Sequence, residues 1–376
     1  MLVDLYAIEG NVRAIQRVVG TGVHVLAVVK ANGYGCGGIH AARAALAGGA
    51  TWLGVATVGE ACRLRDAGID ANILVLGPTM PEEADSCVTQ NVSLTIGSLH
   101  QFEALLATMP GRSTSRLSVH MKIDTGMHRY GVEPEHAVSL AKQIDSDPRF
   151  SLEGVFTHFA RADEQATDRT MRQAEIFRRS LCEIRDAGID PRLTHASNSA
   201  ALLKHRDLDF DMVRPGICIY GVRPGDDVPL FDAMRPAVRI EAAIMRVSEI
   251  SDGDEVGYGG VYRAPGRTRT ALIPLGYADG YRRSLTGRAW AGFQGERLQE
   301  IGRVSMDQTI FALTASCLAG HGDVITVVGD GSHGEPTMEE LASLADTIPY
   351  ELLTGLGQRL PAFYYSGGHV VAYNNI

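Results

Sequence analysis

The sequence predicts an α/β protein in which an N-terminal (β/α)8 TIM barrel is followed by a C-terminal, mainly β domain. Three observations predict this fold class. Short apolar runs alternate with helix-like segments over the first two-thirds of the chain. The hexapeptide RDAGID occurs at 65–70 and again at 185–190, each time between a helix-like segment and an apolar run. After about residue 230, strand-like segments are separated by glycine and aspartate turns.

The alternating runs have the number and spacing that an eight-stranded barrel requires. Helix-like stretches such as GGIHAARAALAGG lie between most of them. In the repeated hexapeptide, Gly68 and Gly188 are predicted to end their helices as C-cap glycines. The predicted barrel strands are 24–29, 51–57, 71–77, 92–97, 117–124, 152–158, 192–197 and 217–221.

We place the barrel at residues 1–230 and the mainly β domain at residues 231–376. The strand-like segments of the second domain are RPAVRIEAAIMRVSEI, RTRTALIPLG, LQEIGRVSMDQTIFAL and DVITVVGDG. A short helix is predicted over 337–346. Its start is indicated by Thr337, which is followed three residues later by Glu340 in the spacing of a capping box.

Composition favours an enzyme that acts on a small molecule. The chain has 376 residues, of which 45% are hydrophobic and 21% charged, and its net charge of −9 argues against a nucleic-acid partner. The six scattered cysteines form no CxxC pair, which argues against a disulfide framework or a zinc site. No apolar run reaches the ~18 residues of a membrane span, and the N-terminus has no signal-peptide pattern. We therefore expect a cytoplasmic protein without a membrane partner.

Polar residues follow several of the predicted barrel strands, where the active sites of TIM barrels lie. Lys30, Arg129 and His158 each lie at or just beyond a strand end, Ser199 follows HAS, and Arg214 precedes a Pro-Gly pair. A desolvated lysine at a strand end can have a lowered pKa, which suits Schiff-base formation. The glycine-rich loop after Lys30 would let the backbone approach a ligand closely.

In chain order, a series of motifs resembles those of the alanine racemase family over essentially the whole chain. The motifs are VVKANGYGCG, KIDTGMHRYG, FTHFARAD, HASNSA, VRPGICIYG, VGYGGVY, PLGYADGYRR and GRVSMDQ. The resemblance implies a pyridoxal 5′-phosphate-dependent isomerase that interconverts L- and D-alanine. It also implies a barrel with a C-terminal β domain and a homodimer with shared active sites, without a metal.

Carried over by position, the resemblance makes Lys30 and Tyr258 the two catalytic bases. Lys30 would bind the cofactor covalently, and Tyr258 would reach the active site of the partner subunit. His158 would hydrogen-bond that tyrosine, Arg129 would orient substrate and cofactor, and Arg214 would face the pyridine nitrogen.

The resemblance also implies residues around the cofactor and the substrate. Lys122 matches a lysine that is carbamylated in some members and pairs with the arginine equivalent to Arg129. The positions around the cofactor phosphate are Tyr34, Ser199, Gly216 and Ile217. The positions near the substrate or the entrance are Met306, Asp307 and Tyr277.

Racemisation needs these residue types, because a proton must leave one face of Cα and return to the other. A phenol is a poor base at its ordinary pKa of about 10, and a neighbouring histidine and arginine can lower that pKa. An arginine at the pyridine nitrogen only donates hydrogen bonds, so Arg214 should leave that nitrogen unprotonated. The ring is then a weaker electron sink, with less leakage to transamination.

Four positions depart from the family pattern. Gly33 and Cys36 replace an alanine and a histidine in the loop after the lysine, and Ser305 replaces a cysteine. Gln358 stands where the family often has a tyrosine. A polar amide there would make serine, or a broader set of amino acids, an alternative substrate.

Two further alternatives remain open from the residues. A non-enzymatic pyridoxal phosphate carrier would need neither the second domain nor Tyr258. A metal-dependent hydrolase would use carbamylated Lys122, His158, Asp163 and His195 as ligands, but would leave Lys30 and Arg214 without a role.

Overall fold

The computed structural model describes residues 1–109, 116–357 and 359–374. The chain begins with β1 (Leu2–Asp4), followed by α1 (Leu5–Val19), whose first turn is capped by the Asp4 carboxylate. Eight parallel strands then form a closed barrel. They are β2 (His24–Val28), β3 (Trp52–Val55), β4 (Asn72–Val75), β5 (Ser93–Ile96), β6 (Leu117–Lys122), β7 (Phe150–Phe156), β8 (Leu193–His195) and β9 (Met212–Val213).

Helices follow the barrel strands, as the alternating sequence pattern predicts. They are α2 (Lys30–Tyr34), a single turn with left-handed backbone, and the helices α3 (Gly38–Ala47), α4 (Val58–Asp66), α5 (Ala84–Thr89), α6 (Leu99–Thr108), α7 (Pro134–Ser146), α8 (Asp168–Asp186) and α9 (Ser199–Lys204). Gly68 and Gly188 have φ values of +75° and +86° just beyond α4 and α8, which agrees with their prediction as cap glycines. The predicted fold class is confirmed for the barrel.

The eighth barrel strand does not lie where the sequence predicts it. The barrel closes through β9, which pairs with β2, whereas Ile217–Tyr220 forms a 3₁₀ helix. Pro215 has no N–H to donate to a sheet, and its carbonyl accepts a bond from the Val28 N–H at 2.9 Å. The side chains of Ile217–Tyr220 are fully buried, which accounts for their apolar composition. A short buried apolar run in a sequence does not distinguish a strand from a helical turn.

The elements of the second domain are β10 (Val238–Ala243), β11 (Arg246–Ile250), β12 (Glu255–Val256), β13 (Tyr262–Arg263), β14 (Thr268–Ile273), β15 (Trp290–Phe293), β16 (Glu296–Ile301), β17 (Thr309–Leu313), β18 (Val324–Val328), α10 (Met338–Leu344), α11 (Pro349–Thr354), β19 (Ala362–Ser366) and β20 (His369–Asn374). Among the described residues, β12 and β13 form a separate two-stranded ribbon, and the other strands of this domain form a ten-stranded sheet together with β1. The order of this sheet is β11-β14-β17-β16-β15-β18-β10-β1-β19-β20, so it includes the first strand of the chain.

The predicted helix start at Thr337 is confirmed. The Thr337 hydroxyl accepts a bond from the Glu340 N–H at 3.2 Å, and the Glu340 carboxylate accepts one from the Thr337 N–H at 2.8 Å. Both bonds satisfy N–H groups that the first turn of α10 cannot pair internally.

Within the described ranges, no helix combines the length and the apolar character needed to span a membrane.

Candidate active site

A cavity of about 740 Å³ opens at the carboxyl ends of the barrel strands. Its walls come from the segments that follow these strands and from α11 of the second domain. This is the end of the barrel at which TIM-barrel active sites lie. The predicted site residues that line it are Lys30, Tyr34, Lys122, Arg129, His158, Ser199, Arg214 and Gly216.

The remaining predicted residues do not line this cavity. Ile217 is fully buried next to Gly216. Four predicted residues are exposed on the surface of the second domain: Tyr258, Tyr277, Met306 and Asp307. Of these, Tyr258 is 73% exposed.

Lys30 stands at the barrel rim just after β2, and a left-handed turn follows it. Ala31, Asn32 and Gly33 have φ values between 52° and 64° and ψ values between 44° and 51°, and Tyr34 continues with a φ of 53°. L-residues other than glycine adopt this conformation at a cost of about 1–2 kcal/mol each. The turn is held by backbone bonds, including Gly33 N–H to Val29 C=O at 2.8 Å. Such strained backbone is characteristic of functional sites.

Glu60, on the first turn of α4, fixes the start of this turn. Its Oε1 accepts the Ala31 N–H at 2.7 Å, and its Oε2 accepts the Ala56 N–H at 2.7 Å. Glu60 is not among the site residues predicted from the sequence. Its signal in the sequence is the capping-box spacing of Thr57 and Glu60, immediately after a barrel strand.

The two lysines of the cavity have lowered pKa values. Burial is the main cause for Lys30, and the positive charge of Arg129 adds to it, while Glu60 acts in the opposite direction. Burial and the charge of Arg129 lower the pKa of Lys122 to about 8. Both amines therefore lose a proton more readily than an exposed lysine does.

Arg214 is buried, and its guanidinium is held by four acceptors. Nη2 donates to the carbonyls of Thr157 at 2.8 Å and Ala196 at 2.9 Å, and to His158 Nδ1 at 3.2 Å. Nη1 donates to His195 Nδ1 at 3.0 Å. Burial lowers the pKa of Arg214 to about 9, which is still above neutral pH, so the group stays charged.

A row of hydrogen bonds runs from Arg214 into the barrel interior. Because a guanidinium only donates, the Nδ1 atoms of His195 and His158 must accept, and their protons lie on Nε2. His195 Nε2 then donates to His120 Nδ1 at 2.8 Å, and His120 Nε2 lies 3.7 Å from the Glu153 carboxylate. Burial and the charge of Arg214 hold the pKa of both His158 and His195 well below the ordinary value. Neutral imidazoles thus continue the hydrogen bonds from the Arg214 guanidinium to His120 and fix the orientation of Arg214.

Gly154 on β7 makes room for this row. A Cβ at this position would lie 2.4 Å from His120 Nδ1. We expect Gly154→Ala to displace the ring, break its bond to His195 and lower the free energy of unfolding by about 1–3 kcal/mol, measured in urea. Gly59→Ala is the matched control, because a Cβ in that turn of α4 would have nothing within 4 Å. Equal free energies of unfolding for Gly154→Ala and Gly59→Ala would show that Gly154 is not needed to make room for His120.

The loop that carries Arg129 is shaped by one carboxylate. Asp124 Oδ1 accepts bonds from the N–H groups of Gly126 at 2.9 Å, Met127 at 2.9 Å and His128 at 3.0 Å. Its Oδ2 accepts the Arg129 N–H at 3.2 Å. These bonds fold the loop back so that Arg129 lines the cavity.

A group of hydrogen-bond donors gathers at the other side of the cavity. The Ser199 hydroxyl accepts the Gly216 N–H at 2.9 Å. A Cβ on Gly216 would lie 2.4 Å from the Tyr34 hydroxyl, so a glycine is needed for Tyr34 to approach. The Tyr34 ring packs against Tyr220, with the ring centroids 5.1 Å apart. The hydroxyls of Tyr34 and Ser199 beside this glycine form a suitable cradle for a phosphate.

These groups fit pyridoxal phosphate. The cavity offers an amine for the aldehyde in Lys30, donors for the phosphate in Tyr34 and Ser199, and a fixed donor for the ring nitrogen in Arg214. The alternative of a metal site with His158 and His195 is disfavoured. Both rings turn their lone pairs towards the Arg214 guanidinium, whose charge repels a cation.

Helix α11 forms a wall of the cavity that the sequence analysis did not identify. Ile348, Tyr350, Glu351 and Thr354 contribute to this wall. The sequence offers no local signal for this wall, because it depends on how the second domain packs on the barrel. Gln358, the position that makes serine or a broader set of amino acids an alternative substrate, lies outside the described residues.

Comparison with known proteins finds alanine racemase relatives for both parts of the chain. The family described as "Alanine racemase, N-terminal domain" matches residues 3–224, and the one described as "Alanine racemase, C-terminal domain" matches residues 237–364. The chain is 39% identical over 363 residues to the alanine racemase of Symbiobacterium thermophilum, with 96% of each chain covered. It is 40% identical over 368 residues to that of Thermobifida fusca, again with 96% of each covered.

Solved structures of alanine racemases also superpose on this chain over nearly its whole length. The alanine racemase of Bacillus anthracis with bound L-Ala-P superposes with a TM-score of 0.93 at 34% identity, covering 100% of this chain and 96% of that one. The alanine racemase of E. faecalis superposes with a TM-score of 0.91 at 35% identity, covering 97% of both chains. The chain therefore belongs to the alanine racemase family.

Proposed function

We propose that this chain interconverts L- and D-alanine with pyridoxal 5′-phosphate as its cofactor, in active sites shared between two subunits. The observation that carries the proposal is the arrangement around one cavity of Lys30, the buried and charged Arg214, and the donors of Tyr34 and Ser199. An amine of lowered pKa, a fixed cation and an anion cradle are what this cofactor requires.

Lys30 would hold the cofactor covalently, and the phosphate would be bound by Tyr34 and Ser199, with Gly216 and Ile217 beside it. When bound, the cofactor supplies an electron sink that acidifies the Cα–H bond of the amino acid. Arg214 would donate to the ring nitrogen and keep it unprotonated, because it is charged and has no proton acceptor to offer.

Two bases then move the proton. Lys30 takes or returns the Cα proton on one face, and burial, which lowers the pKa of its amine, favours the neutral form that can accept the proton. On the opposite face the partner subunit's Tyr258 does the same, with its phenol near His158 and Arg129. Because His158 Nδ1 accepts from Arg214, its proton lies on Nε2 and can be donated to that tyrosine, which stabilises the phenolate form.

The homodimer is proposed because Tyr258 is exposed and does not line the cavity of its own chain. The second domain, residues 231–376, would supply it to the partner subunit. Met306 and Asp307 would approach the substrate carboxylate there, and Tyr277 would lie at the entrance.

Lys122 is proposed to carry a carbamate. With a pKa of about 8, its neutral amine can attack carbon dioxide and release one proton. The resulting anion would pair with Arg129, whose charge already lowers the pKa of Lys122.

The test is a substrate panel with chiral analysis of the products. We expect L-alanine or D-alanine, incubated with the protein and pyridoxal phosphate, to end as equal amounts of both enantiomers, because enantiomers have the same free energy. Serine and other amino acids should react more slowly. Faster reaction of serine, reversed by Gln358→Tyr, would establish the broader specificity instead. No racemisation of any amino acid by the cofactor-loaded protein would indicate a carrier.

A further inference from the structure

Two turns of the second domain are joined to each other through their backbones. We call residues 276–281 the tyrosine turn and residues 304–308 the aspartate turn. The Tyr277 N–H donates to the Ser305 carbonyl at 3.0 Å, and the Ala278 N–H donates to the Met306 carbonyl at 3.0 Å. A Cβ on Gly276 would lie 2.4 Å from the Met306 carbonyl oxygen. The turns are therefore in direct contact with each other.

Arg359 binds a carboxylate from each turn. Its Nε donates to Asp279 Oδ1 at 2.7 Å, and its Nη2 donates both to Asp279 Oδ2 at 3.3 Å and to Asp307 Oδ1 at 2.6 Å. A planar guanidinium can make this two-sided contact, whereas a single ammonium cannot reproduce its geometry.

The two carboxylates differ in how they are held. The Asp279 side chain is buried, and its Oδ2 also accepts the Gly276 N–H at 2.8 Å. The Asp307 side chain is 59% exposed, and within the described part of the chain only Arg359 forms a hydrogen bond with its carboxylate. Asp279 thus anchors the guanidinium, and the guanidinium in turn fixes the direction of Asp307.

We infer that Arg359 is a positioning residue that acts in trans, because it orients the aspartate turn for the active site of the partner subunit. This inference rests on the proposed shared site. Arg359 does not line the cavity of its own chain. Its effect on the reaction therefore passes through Met306 and Asp307, which serve the partner.

Arg359→Met is expected to raise the KM for alanine about tenfold and to change kcat less, because a substrate-binding turn loses its fixed orientation. The KM of Arg359→Lys should lie between those of Arg359→Met and the wild type, since lysine keeps the charge without the two-sided geometry. Arg267→Met is the matched control: it removes another exposed arginine that pairs with a carboxylate, Glu249, away from both turns. An unchanged KM in both Arg359 variants would overturn the inference.

Hybrid dimers separate action in trans from action in cis. Subunits that carry Lys30→Ala and Arg359→Met, each with a different affinity tag, would be co-expressed and purified through both tags. The working site of this hybrid takes Lys30 from one subunit and an intact Arg359 from the other. We expect it to have the wild-type KM at about half the wild-type activity per dimer. A KM that stays at the value of the Arg359→Met homodimer would place the effect in cis and overturn the inference.

A second hybrid tests the shared site on its own. Lys30→Ala paired with Tyr258→Phe should regain activity if the two bases come from different chains. Suppose that this second hybrid regains activity but the Arg359 hybrid keeps the raised KM. The shared active site would then be supported, and the proposed role of Arg359 in trans would be wrong. If neither recovers after dimer formation is verified, the shared site is itself wrong, and the inference falls with it.

Discussion

Lys30→Ala is expected to reduce racemisation by about 10⁴-fold, the largest effect of any single substitution in this chain. The change removes both the amine that would hold the cofactor and one of the two bases. Chiral analysis of the products measures the loss directly.

Borohydride reduction followed by peptide mapping gives a readout that is independent of activity. In the wild type, reduction should fix the cofactor on the peptide that contains Lys30, and in Lys30→Ala this label should disappear. Lys142→Ala is the matched control, because Lys142 is an exposed residue of α7. Normal labelling of another lysine in Lys30→Ala, with activity retained, would refute the assignment.

Tyr258→Phe is expected to reduce racemisation by about 10²–10⁴-fold, because it removes the phenol and keeps the ring. The side chain is 73% exposed in its own chain, so little effect on the stability of the monomer fold is expected. Tyr373→Phe is the control, since Tyr373 belongs to the same domain and is 72% exposed.

The direction of the loss distinguishes two bases from one. Exchange of the Cα proton with heavy water should become much slower from one enantiomer of alanine than from the other in Tyr258→Phe. Lys30 would still exchange the proton on its own face. An equal slowing from both enantiomers would show that Tyr258 supports the reaction without acting as the base of one face.

The barrel could be predicted because its signals are local. Apolar runs separated by helix-like segments, and cap glycines such as Gly68, depend only on neighbouring residues. The position of Lys30 at a strand end follows from the same pattern. The strand predicted at 217–221 failed because a buried 3₁₀ turn and a buried strand have the same apolar composition.

The features of the site that escaped prediction depend on distant contacts. The bond from Ala31 to Glu60 and the wall formed by α11 join segments that are far apart in the sequence or belong to different domains. The row from Arg214 through His195 to His120 requires the side-chain directions of three separate segments of the barrel. Spacing along the chain contains no information about these directions.

The left-handed turn after Lys30 has a consequence for the handedness of its own residues. Ala31 lies at φ 52° and ψ 51°, which is the mirror image of an ordinary α-helical conformation. A D-alanine at this position would occupy the same backbone with its methyl group on the unhindered side. The preference of the backbone for the D-form amounts to about 1–2 kcal/mol. At position 31, directly after the lysine that would interconvert L- and D-alanine, the backbone therefore favours a D-residue, which ribosomes do not insert.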